Sequence, residues 1–267
     1  MTMRFTILGC GSSGGVPRVG QGWGDCDPNN PKNRRRRCSL LAERVSANGK
    51  TTVLVDTGPD LREQLLGADI ARLDGVIYTH DHADHTHGID DVRPLVLAQR
   101  KRVDVYLDEQ TSRIMNARFG YCFHTPEGSE YPPIVTEHRI SVGKPVTVTG
   151  EGGRIEALPI LHQHGRNVTA LGLRFGGLAY SPDVNGFPAE SLAALQGLDV
   201  WILDALRYRP HPSHFNVEEA LSWIEKLKPR RAVLTNLHSD IDYEALRRDL
   251  PPNVVPAYDG LSIELPS

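Results

Sequence analysis

The chain has 267 residues, of which 39% are hydrophobic and 24% are charged, and its formal net charge is −3. This composition supplies a packed core for one large domain, while the slight negative charge lacks the basic excess of proteins that bind bulk nucleic acid. No segment approaches the roughly 18 consecutive apolar residues of a membrane-spanning helix, so we expect no association with a membrane.

Short β-rich segments follow one another along the chain, with helical patterns between them. The predicted strands cover residues 4–8, 51–56, 75–80, 103–107, 145–149, 154–160, 170–175, 200–205 and 232–237. The clearest helix covers 216–228, where apolar residues recur on one face and Asn216 with Glu219 forms a capping-box pattern. Because helix interrupts strand throughout and no repeat or linker is visible, we predict a single α/β layered domain over residues 1–267.

Several of the predicted strands end in polar residues that can carry chemistry. These are Asp56, His80, Asp183, Asp204 and His238. Functional sites gather where strand ends and their loops meet, so we expect these residues to share one cleft. The segment 120–133 mixes aromatic residues with glycine and proline, and it could cover that cleft.

The amino terminus and the cysteines indicate the cellular compartment. The first residues, MTMRFTILGCG, lead directly into a strand and lack the apolar stretch of a secretory signal. The four cysteines show no CxxC spacing, and a domain of this size does not need disulfides. We therefore expect a cytoplasmic protein with reduced thiols.

The most informative segment is YTHDHADHTHG at 78–88, directly after an apolar run. Its candidate ligands are His80, His82, Asp84 and His85, which cannot share one helical face because neighbours there diverge by about 100°. As a tight loop after a strand, the segment can turn one pair of side chains toward one ion and the next pair toward another. Imidazole and carboxylate together suit zinc, manganese or iron better than calcium or magnesium, so the segment predicts a metal centre.

This segment, with TILGCGSSGGVP at 6–17 and TTVLVDTGPD at 51–60, resembles the metallo-β-lactamase superfamily over nearly the whole chain. The resemblance implies an αββα sandwich with two divalent ions, manganese or zinc, along one edge. It implies one ion on His80, His82 and His164, a second on Asp84, His85 and His238, and Asp183 as the bridge between them. Asp56 would fix a ligand imidazole through its other nitrogen.

Two positions differ from the superfamily pattern. His162 and His164 both lie where one histidine is expected; the glycine that follows His164 favours it as the ligand, and His162 would then line the rim. Asn236 occupies the usual place of the last ligand histidine, which leaves His238 as the available imidazole.

Residues 11–41 resemble the phosphodiesterase branch that includes the phosphoribosyl 1,2-cyclic phosphate phosphodiesterase of phosphonate breakdown. HPSHFNV at 211–217 is similar to the late histidine motif of that branch, which implies His214 as the general acid. We assign catalytic roles to His214 and Asp84, and possible substrate contacts to His87, Arg207 and Tyr208. Since only Cys26 lies in the loop where the branch carries a cysteine-rich zinc site, we expect no such site here.

The resemblance implies a metal-dependent phosphodiesterase that attacks its substrate with a metal-bridging hydroxide. The expected substrate is a small phosphodiester such as phosphoribosyl 1,2-cyclic phosphate or a nucleotide, and a homodimer is left open. One alternative is a thioester or lactone hydrolase of the same fold. Another is a non-catalytic accessory protein of cofactor biosynthesis, similar to those of pyrroloquinoline quinone, although the complete ligand set argues against lost chemistry.

Overall fold

Two mixed seven-stranded sheets form the centre of the molecule, a computed structural model that describes residues 2–266. The strands are β1 (Thr2–Gly9), β2 (Ser39–Ser46), β3 (Gly49–Val55), β4 (Gly75–Ile77), β5 (Val103–Leu107), β6 (Val135–Arg139), β7 (Val146–Gly150), β8 (Gly153–Gln163), β9 (Thr169–Phe175), β10 (Leu178–Ser181), β11 (Val200–Asp204), β12 (Arg231–Thr235), β13 (Val254–Pro256) and β14 (Ser262–Pro266). The helices are α1 (Leu61–Gly67), α2 (Ala83–Thr86), α3 (Arg93–Gln99), α4 (Glu109–Phe123), α5 (Val217–Leu227) and α6 (Tyr243–Asp249), with 3₁₀ turns at Pro31–Asn33, Ile89–Val92 and Ala189–Leu195.

The two sheets are built alike. The first has the order β14-β1-β2-β3-β4-β5-β6 and the second the order β13-β12-β11-β10-β9-β8-β7. In each, antiparallel pairing changes to parallel pairing within the sheet: β3 pairs antiparallel with β2 and parallel with β4, while β10 pairs antiparallel with β9 and parallel with β11. The carboxyl ends of parallel strands are where ligands bind in such sheets.

The core lies in three apolar layers. Side chains of both sheets meet in the middle one, where the rings of Phe5 and Phe175 lie 5.5 Å apart. A second layer packs α1 and α4 on the outer face of the first sheet, and a third packs α5 and α6 on the outer face of the second. The predicted αββα sandwich is therefore confirmed.

All nine predicted strands are present, and the predicted helix spans Val217–Leu227. Its capping box is formed by Asn216 Oδ1, which accepts from the Glu219 amide at 2.8 Å, and by the Glu219 carboxylate, which accepts from the Asn216 amide at 2.9 Å. The strand predicted at 75–80 ends at Ile77, so the metal-loop histidines follow the strand. Within residues 2–266, none of the helices has the length and apolar character needed to cross a bilayer.

Candidate metal centre

The candidate site lies where strands of both sheets end. In the first sheet, Asp56 follows β3 and His80 lies three residues beyond β4; in the second, Asp183 lies two residues beyond β10 and Asp204 ends β11. His82 precedes the single turn of α2. Strand ends from both sheets therefore meet at one site, as the sequence predicts.

One group of donors contains His80, His82, His164 and Asp183, whose ligand atoms all lie within 4.8 Å of one another. Nε2 of His164 is 3.3 Å from Nδ1 of His82 and 3.5 Å from Oδ2 of Asp183. Nε2 of His80 is 3.7 Å from the same oxygen. Donors around a tetrahedral zinc with bonds of 2.0–2.1 Å lie about 3.4 Å apart, so this spacing fits one ion.

A second group contains Asp84, His85 and, again, Asp183. Nε2 of His85 is 3.3 Å from Oδ1 of Asp183 and 3.5 Å from Oδ2 of Asp84. Asp183 therefore directs one carboxylate oxygen to each group. A single side chain joins two sets of donors, each with the spacing of a metal site.

A buried atom without a partner shows that the first group fits a cation. His80 is 3% exposed, and its Nε2 has no hydrogen-bond partner among residues 2–266. Burial, together with the neighbouring His85, lowers the pKa of His80 well below its ordinary value, so the imidazole is neutral. An unpaired buried nitrogen lone pair is costly, and a metal ion would satisfy it.

The partners behind two of the imidazoles decide which nitrogen each one presents. Nδ1 of His85 lies 2.7 Å from Oδ2 of Asp56, a fully buried carboxylate that also accepts from the amide and the hydroxyl of Thr79 at 2.8 Å. Nδ1 of His164 donates to the carbonyl of Ser213 at 2.8 Å. Since each Nδ1 donates to its partner, Nε2 is the nitrogen that each ring turns toward the site of an ion. Asp56 itself has a φ of 64°, an uncommon conformation for a residue with a side chain.

The sequence left His162 and His164 as alternative ligands, and the structure places the two side chains differently. His164 lies in the first donor group, whereas His162 is fully buried, with its Nε2 3.4 Å from the hydroxyl of Ser181. A Cβ on Gly172 would lie 2.1 Å from Cε1 of His162, so that glycine makes room for the ring. Burial lowers the pKa of His162 to about 3. His162 is thus a neutral core residue and does not line the rim.

His238 lies in the same cavity but outside both donor groups. Its Nδ1 is 3.1 Å from Oδ1 of Asp240, and its Nε2 contacts the guanidinium of Arg18. An ion on His238 therefore requires that guanidinium to move. The assignment of His238 as a ligand stays a prediction.

His214 is held by a buried carboxylate. Its Nδ1 lies 2.7 Å from Oδ2 of Asp204, which is fully buried and also accepts from the Val184 amide at 3.0 Å. Burial disfavours the imidazolium, but the Asp204 carboxylate outweighs it and raises the pKa of His214 to about 9. The His214 ring packs against that of His164, with centroids 4.8 Å apart. An acid–base group thus stands beside the first donor group.

These side chains surround a cavity of about 240 Å³. Its lining consists of Ser12, Ser13, Arg18, His82, Asp84, His164, Asp183, Leu206, Arg207, His211, Ser213, His214 and His238. Sequence reasoning missed Ser12, Ser13, Arg18, His211 and Ser213 as site residues; the two serines stand in the glycine-rich motif GSSGG, but nothing in the sequence marks Arg18.

Two predicted substrate contacts lie outside this lining. His87 is exposed after α2 and packs edge-on against Phe119, with centroids 5.4 Å apart. Tyr208 faces a groove along α5, because neighbours in an extended chain point to opposite sides and Arg207 takes the cavity side. No residue of the segment 120–133 lines the cavity in the described part of the chain.

Known proteins resemble this chain in sequence and in structure. The family model described as the beta-lactamase superfamily domain matches residues 51–236. A protein of Porphyromonas gingivalis (strain ATCC BAA-308 / W83) named octanoyltransferase is 33% identical over 264 residues, which cover 97% of this chain and 51% of that protein. The chain therefore spans about half the length of this curated relative.

Two solved structures extend the comparison. A diphosphatase from the PhnP family has a TM-score of 0.88 and 36% identity, with 99% of this chain and 98% of that chain covered. Zinc-bound PqqB from Methylobacterium extorquens has a TM-score of 0.71 and 16% identity, covering 98% of this chain and 100% of that chain. At that identity PqqB shares the fold alone.

Substitution of the two neighbouring histidines should have different effects. His164→Ala removes a donor of the first group, so less zinc or manganese should bind per chain. His162→Ala leaves a cavity in the core and should lower the free energy of unfolding by about 2 kcal/mol or more while metal binding persists. Elemental analysis and thermal melting check both; metal lost from His162→Ala but kept by His164→Ala would reverse the assignment.

Proposed function

The chain belongs to the beta-lactamase superfamily, and from this premise we propose that it is a dinuclear metal-dependent phosphodiesterase. Its substrate would be a small, nucleotide-like or cyclic phosphodiester. The observation that carries the proposal is the carboxylate of Asp183, whose two oxygens face two separate groups of donors. The 36% identity to a diphosphatase over nearly the whole of both chains supports phosphoryl chemistry.

The donor set indicates which residues would hold the ions. His80, His82 and His164 would hold one, Asp84 and His85 the other, and Asp183 would bridge them. The resemblance adds His238 to the second set, once the Arg18 guanidinium has moved away from it. Imidazole and carboxylate ligands suit zinc and manganese. Two such ions, when bound, would supply an activated water nucleophile and neutralise negative charge on the phosphoryl oxygens.

His214 is placed to protonate the leaving group. The Nδ1 proton of His214 is donated to Asp204. Its Nε2 can therefore donate a proton to a group bound in the cavity that the side chain lines. The fixed ring can deliver a proton to an alkoxide as the phosphorus–oxygen bond breaks. Asp84 lines the same cavity and offers a carboxylate that can take a proton from the attacking water.

One observation favours a second candidate, an acyl-transfer or thioester hydrolase function. The curated relative from Porphyromonas gingivalis is named octanoyltransferase, which is acyl chemistry. That name covers a protein about twice as long as the matching part, so the activity is not tied to the half that resembles this chain. A non-catalytic role, as for an accessory protein, requires no bridging carboxylate, so the preserved donor groups favour catalysis.

A substrate panel separates these functions. Metal-loaded protein should hydrolyse bis(para-nitrophenyl) phosphate with a higher kcat/KM than an octanoyl thioester or a lactone, because paired cations stabilise the charge on a phosphoryl group. The rates are measured with the same enzyme preparation and known metal content. A thioester preference would replace the proposal with acyl chemistry, and no turnover with metal bound would indicate the non-catalytic role.

Asp183→Ala should remove the bridge between the two donor groups. We expect fewer than two ions per chain and a fall in turnover of about a hundredfold or more, since both ions contribute to stabilising the transition state. Elemental analysis and the rate with bis(para-nitrophenyl) phosphate provide the measurement. Asp249→Ala, an exposed carboxylate on α6, is the matched control. Two bound ions and full activity in Asp183→Ala would contradict the bridging role.

His214→Ala should retain metal but lose the proton donor. The expected loss in kcat is about a hundredfold or more for an alkyl leaving group and much smaller for para-nitrophenolate, which leaves without protonation. A series of esters with graded leaving-group basicity measures the difference. His138→Ala, at an exposed histidine on β6, serves as the control. An equal loss with all leaving groups would mean that His214 acts otherwise.

A further inference from the structure

One wall of the cavity takes no part in the proposed mechanism. It is formed by the glycine-rich loop after β1, which contributes Ser12 and Arg18. Ser12 is 4% exposed, and its hydroxyl has no hydrogen-bond partner among residues 2–266. A buried hydroxyl without a partner is destabilising. Because this side chain lines the cavity, a ligand in the cavity can supply the missing partner.

Arg18 brings a positive charge to the same wall. Within residues 2–266 no carboxylate forms an ion pair with it, whereas Arg36 and Arg37 of the neighbouring segment pair with Asp259 and Asp60. The contact of the Arg18 guanidinium in the cavity is Nε2 of His238. An ion bound at His238 would take that lone pair and leave the guanidinium in need of an anionic partner.

The absence of a side chain at Gly14 makes room for the Arg18 guanidinium. A Cβ added to Gly14 would lie 2.6 Å from Nε of Arg18 and 3.1 Å from its Cζ. The missing side chain at position 14 therefore lets the arginine lie against the loop. Any larger residue would push the guanidinium away, although the charge itself would remain.

We propose that Ser12 and Arg18 bind a second phosphoryl group of the substrate, next to the phosphoryl group that is hydrolysed. The inference deepens the proposed function and rests on it. Arginine and a hydroxyl suit phosphate oxygens because the guanidinium offers several fixed donors and the charge strengthens each hydrogen bond. A cavity of about 240 Å³ holds a compact group such as a diphosphate, with the rest of the substrate outside. The preferred substrates are esters with two adjacent phosphoryl groups.

The test compares two substrates that differ by one phosphoryl group. These are methyl para-nitrophenyl phosphate and the diphosphate diester of the same two alcohols, with consumption followed by phosphorus NMR. The wild-type protein should show a higher kcat/KM for the diphosphate diester. In Arg18→Gln this preference should fall about tenfold or more through KM, because a hydrogen bond to a charged group contributes a factor of about ten to a hundred. The single phosphodiester should be little affected.

Three further variants make the test specific. Ser12→Ala should reduce the preference several-fold, and Gly14→Ala should reduce it without removing a charge. Arg34→Gln removes the same charge from an exposed residue that stacks on Trp23 outside the cavity, and it should keep the preference. The proposal would be overturned if the wild-type protein showed no preference between the two substrates. It would also be overturned if the variants lost kcat/KM equally for both.

A binding measurement keeps the inference testable if neither substrate is hydrolysed, an outcome that would count against the proposed function instead. Metal-loaded protein is titrated calorimetrically with methylenediphosphonate and with methylphosphonate, and Arg18→Gln with the same metal content controls for chelation by the diphosphonate. Wild type should bind the diphosphonate more tightly, and Arg18→Gln should lose that difference. Equal affinity of the wild type for both compounds would show that Ser12 and Arg18 hold no second phosphoryl group.

Discussion

The carboxylate of Asp183 is the interaction on which the site depends. It is 3% exposed and lies among imidazoles from both sheets, with its two oxygens 3.3 Å from His85 and 3.5 Å from His164. Burial disfavours its charge, but the surrounding imidazoles, His85 foremost, hold the pKa of Asp183 well below its ordinary value. A buried anion has to be paired, so the strand ends of the two sheets converge on this residue. Asn236 adds a hydrogen bond from its amide at 3.2 Å.

Two buried carboxylates hold the imidazoles of His85 and His214 in the same way. Asp56 holds Nδ1 of His85 and Asp204 holds Nδ1 of His214, both at 2.7 Å. His85 faces Asp183 and Asp84 and can act as a ligand, whereas His214 lies outside both donor groups and faces the cavity. The same pairing can therefore orient a metal ligand in one place and, as proposed for His214, a proton donor in another. Position relative to Asp183 separates the two roles.

Much of this arrangement was predictable because local patterns mark it. The dense histidine segment predicts a metal site, and the β-rich apolar runs predict nine of the strands. The missed strands include β10, four residues long and fully buried, and the short edge strand β13, whose patterns are too brief to stand out. Ser12 and Arg18 were missed because their place in the cavity wall depends on a loop folding back across the cavity, which no local periodicity records. Tyr208 was placed at the site because sequence proximity cannot show which way a side chain points.

Anomalous diffraction from crystals of the metal-loaded protein tests the central claim most directly. With zinc or manganese bound, the account predicts two anomalous peaks about 3.5–4 Å apart, one on each side of the Asp183 carboxylate. One peak would lie among His80, His82 and His164, and the other beside Asp84 and His85. A single peak, or two peaks that do not share Asp183, would contradict the account.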